Sequence, residues 1–109
     1  MITHTLVFSF PVEMPAKERD QFFSEIRQVM VDRGGAAKFE HHAHLPAAED
    51  EHAPVFVASA IAQVQFSDLD QLGAASALPE LETFIGRWQS RYPYKVVWVN
   101  HAPVTAAAA

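Results

Sequence analysis

The sequence predicts an α+β domain of ferredoxin-like βαββαβ order, a four-stranded antiparallel sheet with helices on one face. Three observations predict it. Four stretches rich in branched and aromatic residues, bounded by Pro, Gly or polar turn residues, have the composition of strands. Between them lie two regions whose apolar residues recur every three or four positions, the period of a helix with one buried face. The chain has 109 residues, half of them hydrophobic, which is the length of one domain and enough apolar surface for one core.

Taken in order, Ile2 to Phe10 is the first strand, closed by Pro11. Alternation places Ile2, His4, Leu6, Phe8 and Phe10 on one face and Thr3, Thr5, Val7 and Ser9 on the other. The first set is bulkier and more apolar, so it should lie under the helices. Pro15 to about Arg33 is the first helix, with Pro15 suited to its first turn and Gly34-Gly35 stopping it. Phe22, Phe23, Ile26, Val29 and Met30 form its apolar stripe.

Ala37 to Leu45 reads as the second strand, with Phe39, His41, Ala43 and Leu45 sharing a face. Residues 46–54, PAAEDEHAP, form a polar loop. Val55 to Phe66 is the third strand, long and almost free of charge, so both its faces should be covered. Ser67 and Asp68 are helix-capping types and open a short helical stretch through Leu72 and Ala75. Pro79 restarts a helix to about Tyr92, with Leu81, Phe84, Ile85 and Trp88 turned inward, and Pro93 breaks it. Tyr94 to His101 is the last strand, where Val96, Trp98 and Asn100 alternate with Val97, Val99 and His101.

One domain therefore spans residues 1–103, and 104–109 is expected to be a disordered tail. The sheet face without helices would present Val7, Val55, Val57, Ile61, Val97 and Val99. An apolar face of that size is normally paired in a partner, which predicts a homodimer.

Composition narrows the function. Eight Lys and Arg against 13 Asp and Glu give a net charge of −5, with no basic cluster. That argues against nucleic acid and against an anionic membrane surface as partner. The absence of Cys removes disulfides, thiolate nucleophiles and Cys-based metal sites, and fits a cytoplasmic protein. No apolar run reaches the roughly 18 residues of a membrane span, and the first strand lacks the basic flank of a signal peptide. There is neither a Gly-rich phosphate loop nor a G-x-S-x-G elbow. Glu49, Asp50 and Glu51 read as a solvated run rather than a carboxylate pair.

Six His is a high count for this chain, and imidazole works as acid or base near neutrality. His4 lies on the face assigned to the helices. It is either a buried His bonded to a backbone carbonyl or a catalytic base. His41 falls on the same side of its strand, so His4 and His41 would share one pocket if their strands are close, dividing proton removal from proton return. His42 and His44 share the other face at a spacing found in metal sites, with Glu40 and His52 nearby. A polar strand end is the alternative, and no metal is expected. Phe8, Phe23, Trp88, Tyr92 and Trp98 are the candidate substrate-binding residues: so many large rings in a small domain either pack as core or line a cavity.

His4 to Phe10 resembles the opening strand of the stress-responsive dimeric α+β barrel (Dabb) family. Phe22-Phe23, the strand ending Val64-Gln65-Phe66-Ser67, and the last strand leading to Pro103 continue the likeness over nearly the whole chain. ITHTLVFSF, HHAHLPAAEDEHAPVFVA and RYPYKVVWVNH are also similar to the RedY-like (HapK) family of prodiginine-type pathways. The resemblance implies two sheets packed face to face as a dimeric α+β barrel, with a ligand cavity between sheet and helices. In relatives similar to plant olivetolic acid cyclase, a first-strand His and aromatic residues of the first helix line that cavity, matching His4, Phe22 and Phe23. Their catalytic His-Pro-Ala-His turn has no counterpart in Ala-Leu-Pro-Glu-Leu-Glu here, so that mechanism does not carry over.

Together these features point to a cofactor-independent cyclase, dehydratase or condensation catalyst acting on an apolar aromatic or polyketide-like intermediate of natural-product biosynthesis. The alternatives are a non-catalytic small-molecule binding protein of such a pathway, or a cofactor-free or haem monooxygenase of the antibiotic-biosynthesis type.

Overall fold

The computed structural model describes residues 1–104; the remainder of the expected disordered tail lies outside the described residues. Strand β1 (Ile2–Ser9) leads to helix α1 (Ala16–Arg27), which runs on as a π-helical turn over Gln28–Arg33. Then follow β2 (Lys38–Ala43), β3 (Ala60–Phe66), α2 (Leu69–Ser76), α3 (Pro79–Arg91) and β4 (Lys95–His101). The four strands form one antiparallel sheet of order β2-β3-β1-β4. This is the predicted ferredoxin-like arrangement, with the helices on one face. Among the described residues, no helix is long and apolar enough to cross a membrane.

The core is built from aromatic rings. Phe22 is central, with ring centroids 5.1 Å from Phe10, 5.4 Å from Phe8, 4.9 Å from Phe84 and 5.1 Å from Tyr94. Most of these contacts are edge-to-face, the arrangement the ring quadrupoles favour. Pro11 and Pro93 end β1 and α3 near these rings, so the chain reverses where aromatic bulk can fill the space.

β3 begins at Ala60, not at Val55. Ser59 fixes the boundary: its N–H donates to the Phe8 carbonyl (2.8 Å), its Oγ accepts from the Phe10 N–H (2.9 Å), and its own carbonyl accepts from the His44 N–H (2.8 Å). Beyond Ser59 there is no strand to pair with, because Pro46 turns the chain away after β2. The intervening loop instead holds one turn of 3-10 helix, Ala48–His52. Asp50 clips it by accepting from His44 Nε2 (2.7 Å) and the Ala47 N–H (3.0 Å).

On the helix-free face Ile61, Val97 and Val99 are exposed and Val7 is half-buried. A polar stripe crosses that face. Thr5 Oγ1 lies 2.5 Å from His101 Nε2 and 3.3 Å from Gln63 Nε2, and His101 Nδ1 is 2.6 Å from the Ala102 carbonyl. The Thr3 hydroxyl beside it is buried without a partner.

Candidate functional site

Alternation along β1 and β4 decides what faces the helices. His4, Leu6 and Phe8 of β1 lie directly opposite Asn100, Trp98 and Val96 of β4. Between these strands and the helices is a cavity of about 340 Å³. Ile26 and Met30 close it from the first helix, Leu72 from α2, and Leu81 and Ile85 from α3. Met30 lies in the π-helical turn, whose wider winding changes the angle at which side chains leave the helix. A wider hollow of about 490 Å³ between α1 and α3 is more open and is edged by the Glu25–Arg87 ion pair. The cavity under the helices is the better candidate because it is the more recessed of the two and its wall is mostly apolar.

Its wall carries four polar side chains, His4, Asn100, Ser76 and Tyr94, and no Lys, Arg, Asp or Glu. His4 Nδ1 is 2.6 Å from Asn100 Oδ1. With the amide oxygen as acceptor, Nδ1 carries the proton and Nε2 keeps its lone pair. The Trp98 ring, tilted by 51° at a centroid distance of 5.9 Å, flanks the imidazole. One end of the cavity thus offers an imidazole oriented by Asn100. Tyr94 stands at the other end, six residues along from Asn100, or roughly 20 Å of extended chain. Burial pushes its phenol above the usual range, against a smaller opposing effect of the Gln89 hydrogen bond. His4 and Tyr94 are therefore not an acid–base pair for one small substrate.

Three predicted site residues, His4, Phe8 and Trp98, line this cavity. His41 does not share it with His4, because β3 lies between β1 and β2. His41 instead stacks on Phe23, centroids 4.2 Å apart and planes 6° from parallel, on the helix-facing side at the sheet edge, where it is exposed. Partial burial there holds its imidazole below the ordinary value; nearby His42 and Arg27 act the same way and Asp20 opposes. The second half of the expected His pair is thus spatially separate.

Phe23, Trp88 and Tyr92 also stand apart from the cavity. Phe23 packs on Phe8 and His41. Trp88 is fully buried, its Nε1–H donating to Glu25 Oε1 at 3.2 Å. Tyr92 stacks on Trp88, and the Arg91 guanidinium covers both rings. These three rings pack with one another and with the core rather than line the cavity.

His44 is engaged by Asp50, whose carboxyl is held below its ordinary value first by that hydrogen bond and then by the Ala47 N–H. Glu40 sits 3.8 Å from Lys38. Among the described residues, no group of three or more His, Asp or Glu side chains could hold a metal ion. Asn100 and Ser76 are the wall residues that sequence reasoning missed. The signal for Asn100 was present, an amide near the end of the last strand on the face of Val96 and Trp98. Its meaning depended on the β1–β4 register, which puts it opposite His4.

The fold and cavity define the class: a ferredoxin-like α+β domain with an apolar, base-bearing pocket under its helices. No family model matches the chain, and none of the curated proteins matches its sequence. Solved structures share the fold. A Dabb family protein with a ferredoxin-like fold from Mesorhizobium loti matches with a TM-score of 0.71 at 16% identity, covering 95% of this chain and 97% of that one. The hydroxynitrile lyase of Passiflora edulis matches with a TM-score of 0.72 at 14% identity, covering 96% and 95%. A dimeric protein of unknown function and ferredoxin-like fold from Bacteroides fragilis matches with a TM-score of 0.63 at 13% identity, covering 94% and 95%.

Proposed function

We propose that this chain is a homodimeric protein of the Dabb-like superfamily, allied to its RedY-like branch, that performs cofactor-independent proton-transfer chemistry on an uncharged, apolar, aromatic or polyketide-like molecule. The observation that carries this reading is the His4–Asn100 pair in the wall of a largely apolar cavity. Nε2 of His4 removes a proton from carbon or oxygen of the bound molecule and returns it after rearrangement. Asn100 keeps the tautomer correct throughout. A wall without charged side chains favours a neutral ligand, since an anion or cation would enter unpaired. Cyclisation, dehydration and condensation with loss of water all follow from such a base. So does cleavage of a cyanohydrin, the chemistry named for the passion-fruit neighbour.

The test uses 5-nitrobenzisoxazole, a neutral aromatic whose ring opens to a coloured phenolate when one carbon-bound proton is removed. The wild type should accelerate this opening, and His4→Ala should lower the rate by about 100-fold, the usual scale of general-base catalysis. Quenching of Trp98 fluorescence by the same probe should persist in the variant. Quenching without acceleration in the wild type would assign the cavity to binding alone, and no quenching would remove the cavity from the argument.

A further inference from the structure

The third strand is shorter than its composition. Val55, Phe56 and Val57 are strand-forming residues, yet they are 84%, 57% and 36% exposed and pair with nothing. Among the described residues, the backbone groups of 54–58 make no hydrogen bond within the chain. These five residues are apolar, and their unpaired backbone is free to complete a sheet. The segment emerges on the helix-free side: Ala58 walls a shallow hollow of about 170 Å³ with Val7, His42 and Ile61 of that face.

The sheet has two free edges, and they differ. Along β2 the helix-free side carries Lys38, Glu40 and His42, charged or polar groups of the kind that guard an edge against pairing. Along β4 the same side carries Val97 and Val99, exposed and apolar, with polar groups only at its two ends, Lys95 and His101. The chain thus holds both halves of a strand addition, an unpaired strand-like arm and an unguarded edge. Each is one per chain, so a twofold arrangement satisfies both at once.

We infer that residues 54–58 of one copy add as a short strand along the outer edge of β4 in a second copy. This rests on the homodimer reading and extends it: the interface includes an exchanged arm as well as the sheet faces. Phe56 anchors the arm beside Val97 and Val99, and the backbone of 54–58 gains the hydrogen bonds it lacks within its own chain.

The chain contains no Cys, so disulfide trapping gives a clean test. Phe56→Cys is made in ¹⁵N-labelled protein, and Val97→Cys, Val99→Cys and Glu40→Cys are made unlabelled. All four are surface positions, and folding is checked by circular dichroism. Each unlabelled variant is mixed with the labelled one under mild oxidation, and mass spectrometry identifies mixed covalent pairs. The expected result is a mixed pair with Val97→Cys or Val99→Cys at several times the yield with Glu40→Cys. Equal or preferential linkage to Glu40→Cys overturns the assignment to β4. No linkage while native mass spectrometry still reports a dimer overturns the arm and leaves the dimer reading standing. A monomer in native mass spectrometry removes both.

Discussion

His4 and His41 show how much a residue's role depends on its neighbours. Both are strand imidazoles on the helix-facing side, yet one is oriented by an amide inside a cavity and the other lies flat on a phenyl ring at an edge. The fold favours the neutral form of His41, because partial burial against Phe23 and the nearby His42 and Arg27 disfavour a charge there. Its folded value thus lies below 6.5, the ordinary value that also holds when the chain is unfolded. The resulting stabilisation is fully present above pH 6.5 and is lost as the pH falls through the lowered folded value. His41→Phe keeps a flat ring against Phe23 without a titrating group. The variant should lose less melting temperature than the wild type between pH 7 and pH 5, measured by thermal circular dichroism. An unchanged acid slope would show that the His41 stack contributes nothing to the pH dependence. Activity on the benzisoxazole probe should be unaffected, since His41 lies outside the cavity.

At the scale of elements, the junction between the first helix and β2 shows where local sequence signals suffice. Gly34-Gly35 marks the stop, and the structure gives each glycine a separate reason. Gly35 has a φ of +73°, a conformation that costs other residues about 1–2 kcal/mol. At Gly34 a Cβ would lie 2.8 Å from the Met30 carbonyl oxygen and 2.9 Å from the Ala75 Cβ, so α2 packs directly on this turn. Gly34→Ala should therefore cost about 1–3 kcal/mol by overpacking. Gly86 lies inside α3, where an added Cβ would meet nothing within 4 Å, so its replacement by Ala should instead gain about 0.5–1 kcal/mol. Urea denaturation of the two variants checks both signs. The periods of the helices, the Pro and Gly stops and the face of β1 were legible because each depends on residues close in sequence. The start of β3 was not legible, because it depends on where β2 stops and on Ser59 bonding to β1. The cavity was only half legible for the same reason. His4, Phe8 and Trp98 follow from alternation, whereas Asn100 joins His4 only through the β1–β4 register, and the fate of Phe23, Trp88 and Tyr92 depends on how rings interlock in three dimensions.

The molecule as a whole is lopsided. One face of its sheet is sealed by an aromatic core and a cavity, and the other holds exposed valines around a polar stripe. That stripe is internally directed: Gln63 donates to Thr5, Thr5 donates to the His101 ring, and the ring donates to the Ala102 carbonyl. Such a chain satisfies its own members, so it adds no demand for water when a second sheet closes over it. Thr3 Oγ1 is the exception, a buried hydroxyl with no hydrogen-bond partner among the described residues. The surrounding Ile61, Val97 and Val99 supply the apolar area, and burial of such side chains is worth about 1.5–3 kcal/mol each. If the proposed homodimer closes over this face, association is coupled to folding and stability rises with concentration. The melting temperature of the wild type should rise over a hundredfold increase in protein concentration. Val99→Lys places an ammonium in the middle of the valine patch without touching the cavity wall. The variant should sediment as a monomer, and its melting temperature should become independent of concentration. It should still bind the benzisoxazole probe if each protomer builds its own cavity. Loss of probe binding together with the dimer would instead mean that the second copy holds β4, and with it Trp98 and Asn100, in place against His4.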